Sequence, residues 1–405
     1  MHLTARPLIE TVAAVGTLSS LGFYLLSGCG LASFLSERRR KRRLTTPPEI
    51  QLPPVSILKP LKGIDPHIWE AFCSHCEQDY PEFQLIFGVS DPKDPAIELV
   101  RRLQETYPHR QIDLLVCARD LGTNRKLSTL AQMLPAARYE VLVVNDSDIR
   151  VAPNYLRRVI APLRDDVVGM VTCLYRGIAA GTLGSRLEAL GISTDFVPGV
   201  LSARLIEKGL HFGLGSTLAF RRADLQAIGG FEAMVDYLAD DYEIGRRIAG
   251  LGRRVELSQV VVDTFLPAYS LREFFDHQVR WARSVRGARS WGYVGLLLTF
   301  GMPWALWNLL EAREATWAWL LFVLTVVARL AVGLTSAVAV LGDRHALQDI
   351  FLLPVRDLIA PIVWAIGLVG NRIFWRGEVF YLKGGRLERV HEAAGQQELS
   401  RLSRP

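Results

Sequence analysis

The stretch VLVVNDSDIRV, Val141 to Val151, runs apolar for four residues and then sets two carboxylates two positions apart, at Asp146 and Asp148. A strand that is apolar at every position is one covered on both faces, as in a parallel sheet flanked by helices. The carboxyl ends of such strands are where open α/β sheets bind their ligands. A D-x-D pair placed there can share a hard cation such as Mg2+ or Mn2+, which prefers oxygen ligands and also takes phosphate oxygens. The same residues suit a solvated turn, because Asn, Asp and Ser bond their own backbone. Spacing alone leaves both readings open.

Between Pro53 and about Thr264 the pattern repeats. VSILKP, FQLIFGVSD, IDLLVCARD and VVGMVTCLY read as further strands, and amphipathic segments over Ile68–Gln78, Ala96–Tyr107 and Arg125–Ala137 separate the first four strands. Alternation of this kind predicts βαβ units and a mostly parallel sheet with crossover helices.

Both ends of the 405-residue chain are more apolar. Leu8 to Leu35 carries one charge, Glu10, and is followed by SERRRKRR. About 20 apolar residues span a bilayer, and a dense basic run beside them marks the cytoplasmic side. A cleaved signal peptide fits less well, since the apolar stretch is long and no small-residue cleavage site is evident. The six positive charges from Arg38 to Arg43 equal the whole excess of 47 basic over 41 acidic residues. That placement predicts contact with anionic lipid headgroups and argues against a nucleic-acid surface. Val294–Leu310, Ala315–Leu341 and Ile350–Val369 are apolar enough to enter a bilayer, although Arg329, Arg356 and Asp357 interrupt them. Charge there is costly and ordinarily faces protein or water, so a polar cavity is expected. A basic tail on the cytosolic side requires an even number of spans, which makes the short, Pro303-containing segment the candidate for a re-entrant or surface helix. Cys73 and Cys76 form a C-x-x-C pair, but no second pair completes a zinc site. The divisions expected are an anchor over 1–36, a basic linker over 37–52, a catalytic domain over 53–268, an amphipathic interface helix over 269–292, membrane segments over 293–371 and a tail over 372–405.

Other residues offer chemistry. Asp91, just past the second strand, is placed to accept hydrogen bonds from a nucleobase or ribose, or to cap the turn DPKDP. Lys126, near the start of a helix, suits a diphosphate. Asp240 and Asp241 open another helix, where they complement the dipole or supply a general base. The run Phe212–Arg222, FGLGSTLAFRR, would let backbone approach a ligand. REFFDHQVRWARSVRGARSW is a basic amphipathic helix carrying His277, Arg280 and Trp281 on one face. It is suited to a membrane surface, and Arg280 also suits a pyrophosphate.

Taken in order, VSD, NDSD, ADDY and HQVRW resemble the D, D, D, (Q/R)xxRW set of family 2-like inverting glycosyltransferases of GT-A fold. VSILKPLKGIDP, DYPEFQLIFGVSDPKDPA and LADDY resemble the ceramide glucosyltransferase family more closely. VTCLYRG and HQVRWARSVR look most like its bacterial hopanoid-associated branch. The resemblance implies a GT-A-like sheet with transmembrane helices at both ends, in a bacterial inner membrane with the catalytic domain cytoplasmic. It implies Asp91 on the uridine of a UDP-sugar, Asp146 with Asp148 on Mg2+ or Mn2+, Asp241 as base, and Arg280 and Trp281 beneath the pyrophosphate. His277 stands where Gln or Arg is expected. Asp195 stands about where ceramide-using relatives carry a histidine linked to activity, which points toward a hopanoid or another lipid alcohol. The activity implied is transfer of one sugar, glucose or N-acetylglucosamine, to a membrane lipid. A processive polysaccharide synthase and a non-catalytic nucleotide-binding scaffold are the alternatives, and a dinucleotide oxidoreductase lacks its G-x-G-x-x-G.

Overall fold

The computed structural model describes residues 5–44, 52–312, 315–375 and 378–389. Eight strands form one sheet: β1 (Val55–Leu61), β2 (Phe83–Val89), β3 (Gln111–Val116), β4 (Val141–Val144), β5 (Ile149–Arg150), β6 (Val168–Ile178), β7 (Leu218–Arg221) and β8 (Arg254–Phe265). Their order is β3-β2-β1-β4-β7-β6-β8-β5. The pairs β1–β2, β2–β3, β1–β4 and β6–β8 are parallel, while β7 runs antiparallel between β4 and β6, and β5 runs antiparallel to β8.

The opening stretch is apolar because alternate residues of β4 serve different cores. Val141 and Val143 pack with Phe72 and Phe87 on one face, and Leu142 and Val144 pack with Leu127 and Leu130 on the other. Each fully buried side chain of this size contributes about 1.5–3 kcal/mol, and Leu142→Ala would cost about 2–5 kcal/mol. The covering helices are Ile68–Cys76, Ala96–Thr106 and Arg125–Met133. Asn124 caps the last of these, accepting from Leu127 N at 3.2 Å.

The chain builds β1, β2 and β3 outward on one side and then returns to place β4 on the other side of β1. The crevice at that reversal is where open sheets hold ligands. Asp146 follows β4 at this point.

The amino-terminal helix, Ala5–Leu44, does not stop at the boundary expected at residue 36. Leu31 and Phe34 join the domain core, and Lys41 pairs with Glu256 at 2.6 Å, so the helix and the domain are packed together. Among the described residues, Pro7–Lys41, Leu183–Ile206, Thr316–Leu341 and Ala346–Leu368 are long and apolar enough to cross a bilayer. Ser290–Thr299 and Gly301–Ala312, bent by 49°, would also pass as a pair, and the second of them carries Pro303. Leu183–Ile206 was not expected from the sequence. It is 61% buried against 33% for the other three, which marks it as a helix packed within the protein.

The helix expected at the interface runs Leu271–Ala288 and opens with a capping box between Ser270 and Glu273. The segment expected as a tail forms a second, antiparallel sheet of β9 (Arg372–Trp375), β10 (Glu378–Lys383) and β11 (Arg386–Arg389). Its Ile373, Phe380, Leu382 and Leu387 enclose a small core with Leu238.

Candidate active site

Four carboxylates and two lysines meet at the β1–β4 reversal. Lys126, in the first turn of its helix, donates to Asp146 Oδ1 at 2.7 Å and lies 3.1 Å from Asp240 Oδ2. Burial works against its charge, but Asp146 and Asp240 outweigh that and hold the ammonium well above its ordinary pKa. Lys59 points from the middle of β1 with no exposure and donates to the Asp146 carbonyl at 2.8 Å. Burial brings its pKa down to about 7 against the pull of Asp148 and Asp146.

Asp241 approaches from the first turn of the helix Asp240–Gly250, and its Oδ1 accepts from Tyr242 N at 2.8 Å. A Cβ built on Gly215 would lie 3.2 Å from Asp241 Oδ2 and 3.4 Å from Asp146 Oδ2. The two carboxylates therefore share one small space, which the missing side chain keeps open. Burial, with Asp240 repelling it and Lys126 opposing, pushes Asp241 up to about 7. Asp148 is pushed up to about 6 by burial and by Asp146, while a hydrogen bond from Thr264 restrains it.

All of these residues except Lys59, which lies beneath, line a cavity of about 1670 Å³. The interface helix supplies another wall through His277, Arg280 and Trp281. His277 Nδ1 is 3.3 Å from Glu188, and the Trp281 ring is 5.9 Å from Phe196. The cavity continues past Asp195 to Tyr24, Pro303, Arg329 and Val332 on the long apolar helices.

The expected residues are thus brought together with one exception. Asp91 is exposed, its Oδ1 accepts from Lys93 N at 2.8 Å in the turn, and its neighbour Ser90 lines the cavity instead. Lys59 and the pairing of Asp195 with its partners were missed by sequence reasoning, while Gly215 lies in the run Phe212–Arg222 expected to let backbone approach a ligand. A lone lysine inside an apolar strand was the available signal for the first.

The donor set suits a hard cation bound jointly with phosphate. No group of three or more His, Cys, Asp or Glu stands close enough to cage a metal among the described residues. Mg2+ and Mn2+ ordinarily take one or two protein carboxylates together with substrate oxygens, which Asp146, Asp148 and the space over Gly215 match.

Relatives agree with this architecture. The chain is 23% identical to ceramide glucosyltransferase 1 of Caenorhabditis elegans over 382 residues, 88% of this chain and 78% of that protein. It is 29% identical to the ceramide glucosyltransferase of Komagataella phaffii over 156 residues, 37% of this chain and 30% of that protein. The fold is like that of a mannosyltransferase from Pyrobaculum calidifontis solved with GDP-Man and Mn2+, with TM-score 0.52 and 22% identity, covering 89% of this chain and 96% of that one. Residues 22–387 match the model of Glycosyl transferase family 21, and the chain belongs to that family of glycosyltransferases.

Proposed function

We propose that this glycosyltransferase moves one sugar, glucose or N-acetylglucosamine, from a UDP-sugar to the hydroxyl of a membrane lipid, a hopanoid of bacteriohopanetetrol type or a ceramide, with inversion. The observation that carries the reading is the continuity of one cavity from the carboxylate cluster to the apolar helices. A water-soluble donor can enter at the sheet rim while an amphiphilic acceptor stays in the bilayer. The basic run ending the first helix favours a cytoplasmic catalytic domain, in a bacterial inner membrane by the motif resemblance.

Asp146 and Asp148 would hold Mg2+ or Mn2+, which neutralises charge on the diphosphate as UDP leaves. Lys126, kept protonated by its carboxylate neighbours, and Arg280, half-buried in the cavity wall, would add positive charge on the same side. Trp281 would lie beneath the pyrophosphate. Asp241 would take the acceptor's proton as its oxygen attacks the anomeric carbon. A carboxyl pushed up to about 7 suits that task at neutral pH better than an ordinary aspartate.

The test is reconstitution of the full chain in lipid nanodiscs with labelled UDP-glucose or UDP-N-acetylglucosamine and Mn2+, with mass spectrometry of the extracted lipids. One added hexose or N-acetylhexosamine per lipid is expected. A ladder of longer products would support a polysaccharide synthase, and intact donor with unmodified lipid would support the scaffold reading.

A further inference from the structure

In the half of the cavity bordered by the long apolar helices stands a network of charge. Arg329 Nε donates to Asp357 Oδ1 and Oδ2 at 3.1 and 3.0 Å, and its guanidinium also reaches Thr194 O at 2.7 Å and Asp195 Oδ1 at 2.6 Å. Arg356 takes the other Asp195 oxygen at 2.9 Å and Gln278 Oε1 at 3.1 Å, and Gln278 in turn donates to Glu188 at 2.7 Å. Charge within such helices is expensive and ordinarily serves a function. Joining the helices needs only the Arg329–Asp357 pair. The second arginine and the other two carboxylates, Asp195 and Glu188, go beyond that.

The members are not equally covered. All four border the cavity, but the side chains of Arg329, Arg356 and Asp357 are 4%, 11% and 9% exposed, whereas that of Asp195 is 39% exposed. The network therefore presents one carboxylate to the space, braced from behind by two guanidinium groups.

Backbone geometry adds an independent sign. Ile192–Phe196 is a π-helical turn inside the longer helix Leu183–Ile206. Such turns insert a residue and re-aim side chains, and they concentrate at functional sites. Here the turn carries Asp195 and also Phe196, whose ring lies 5.0 Å from Tyr175 and 5.9 Å from Trp281. Asp195 is thus adjacent in sequence to a ring that touches the aromatic wall of the candidate active site.

An ionised carboxylate is an acceptor only, with room for about four hydrogen bonds. Two are taken by the arginines, and the remainder suit hydroxyl or amide N–H donors. We propose, resting on the lipid-acceptor reading above, that Asp195 is an acceptor-reading residue, bonding a second hydroxyl or amide N–H that the lipid carries close to the hydroxyl receiving the sugar. Simple monohydric lipids are then poor acceptors.

The test compares acceptors of equal chain length on the unmodified full-length protein in detergent with UDP-sugar and Mn2+: a 1-alkanol, a 1,2-alkanediol and an N-acyl amino alcohol. Transfer to the latter two is expected to exceed the alkanol by about tenfold or more in kcat/KM, the worth of a hydrogen bond to a charged group. Asp195→Asn should shrink that ratio to within about threefold, chiefly through the acceptor KM, and Asp195→Glu should restore part of it. Equal transfer to all three by the unmodified protein, or a ratio unchanged by Asp195→Asn, overturns the inference while leaving the lipid-acceptor reading intact. No transfer to any lipid overturns both.

Discussion

Lys59 Nζ and the Asp146 carbonyl are joined by a 2.8 Å hydrogen bond in the interior of the sheet, directly beneath the D-x-D turn. An unexposed ammonium on a central strand is retained at the cost of its desolvation, and here it holds in place the residue proposed to bind the cation. Lys59→Met keeps the volume while removing both the bond and the charge that tempers Asp146 and Asp148. We expect at least a tenfold lower transfer rate and weaker UDP binding at fixed Mn2+, checked by initial rates and calorimetry. Unchanged values would make Lys59 a bystander.

Gly215 gives a narrower test of the shared carboxylate space. Gly215 is not among the glycines with positive φ, so alanine can adopt its backbone. The added methyl would meet Asp241 Oδ2 and Asp146 Oδ2 at 3.2 and 3.4 Å. Gly215→Ala should therefore fold with a thermal midpoint close to that of the parent, or slightly above it, since such a change restricts the unfolded chain by about 0.4–1 kcal/mol. Its transfer rate should nevertheless fall by more than tenfold. Parent-like turnover would show that the space is not used.

A pH profile addresses Asp241. The base must be ionised to accept a proton, so kcat/KM should rise with pH through a limb near 7, where burial and Asp240 place the carboxyl. The profile of kcat should show this limb at lower pH, because the donor complex brings a cation beside the same carboxylate. Asp241→Asn should lose about 10²–10⁴-fold in rate while retaining UDP binding. A variant that kept both its rate and its limb would assign the base elsewhere.

Strands β1, β2 and β4 were legible because two-sided burial turns a strand into a solid apolar run. The run Phe212–Arg222 concealed β7, since Gly213 and Gly215 break its pattern. Charges hid the second sheet: β9 to β11 bury one face only, and Lys383, Arg386 and Glu388 line the exposed one. At the site, Asp146, Asp148, Asp240 and Asp241 announced themselves by their position at element ends. The role of Asp195 could not be read in that way, because its partners Arg329 and Arg356 come from helices more than 130 residues away.

The Arg329–Asp357 pair makes a prediction about stability. Removing Arg329 leaves the Asp357 carboxylate buried without its counterpart, a cost of about 3–5 kcal/mol, whereas removing Asp357 leaves Arg329 its bond to Asp195, and replacing both with apolar residues of similar volume can be close to neutral. Arg329→Met alone should lower the thermal midpoint in detergent sharply, Asp357→Leu alone less so, and the double variant should recover most of the Arg329→Met loss. Additive losses would mean that the two are not coupled.

The second sheet is expected to act on the active site through main chain. Leu238 N donates to Gly385 O at 3.1 Å and Leu387 N donates to Asp236 O at 2.7 Å, so β11 grips the segment immediately before Asp240 and Asp241. Leu387 is 2% exposed in the small core with Leu238, and a carboxylate there would be buried without a partner. Leu387→Asp should therefore release this segment while leaving the large sheet, whose cores Leu387 does not join, intact. The expected signature is a fall in kcat of tenfold or more with an unchanged circular dichroism spectrum. It should be accompanied by faster proteolysis confined to residues 235–239 and 372–389. Leu387→Ile, which keeps the apolar volume, should behave like the parent, and equal activity in all three proteins would separate the second sheet from catalysis.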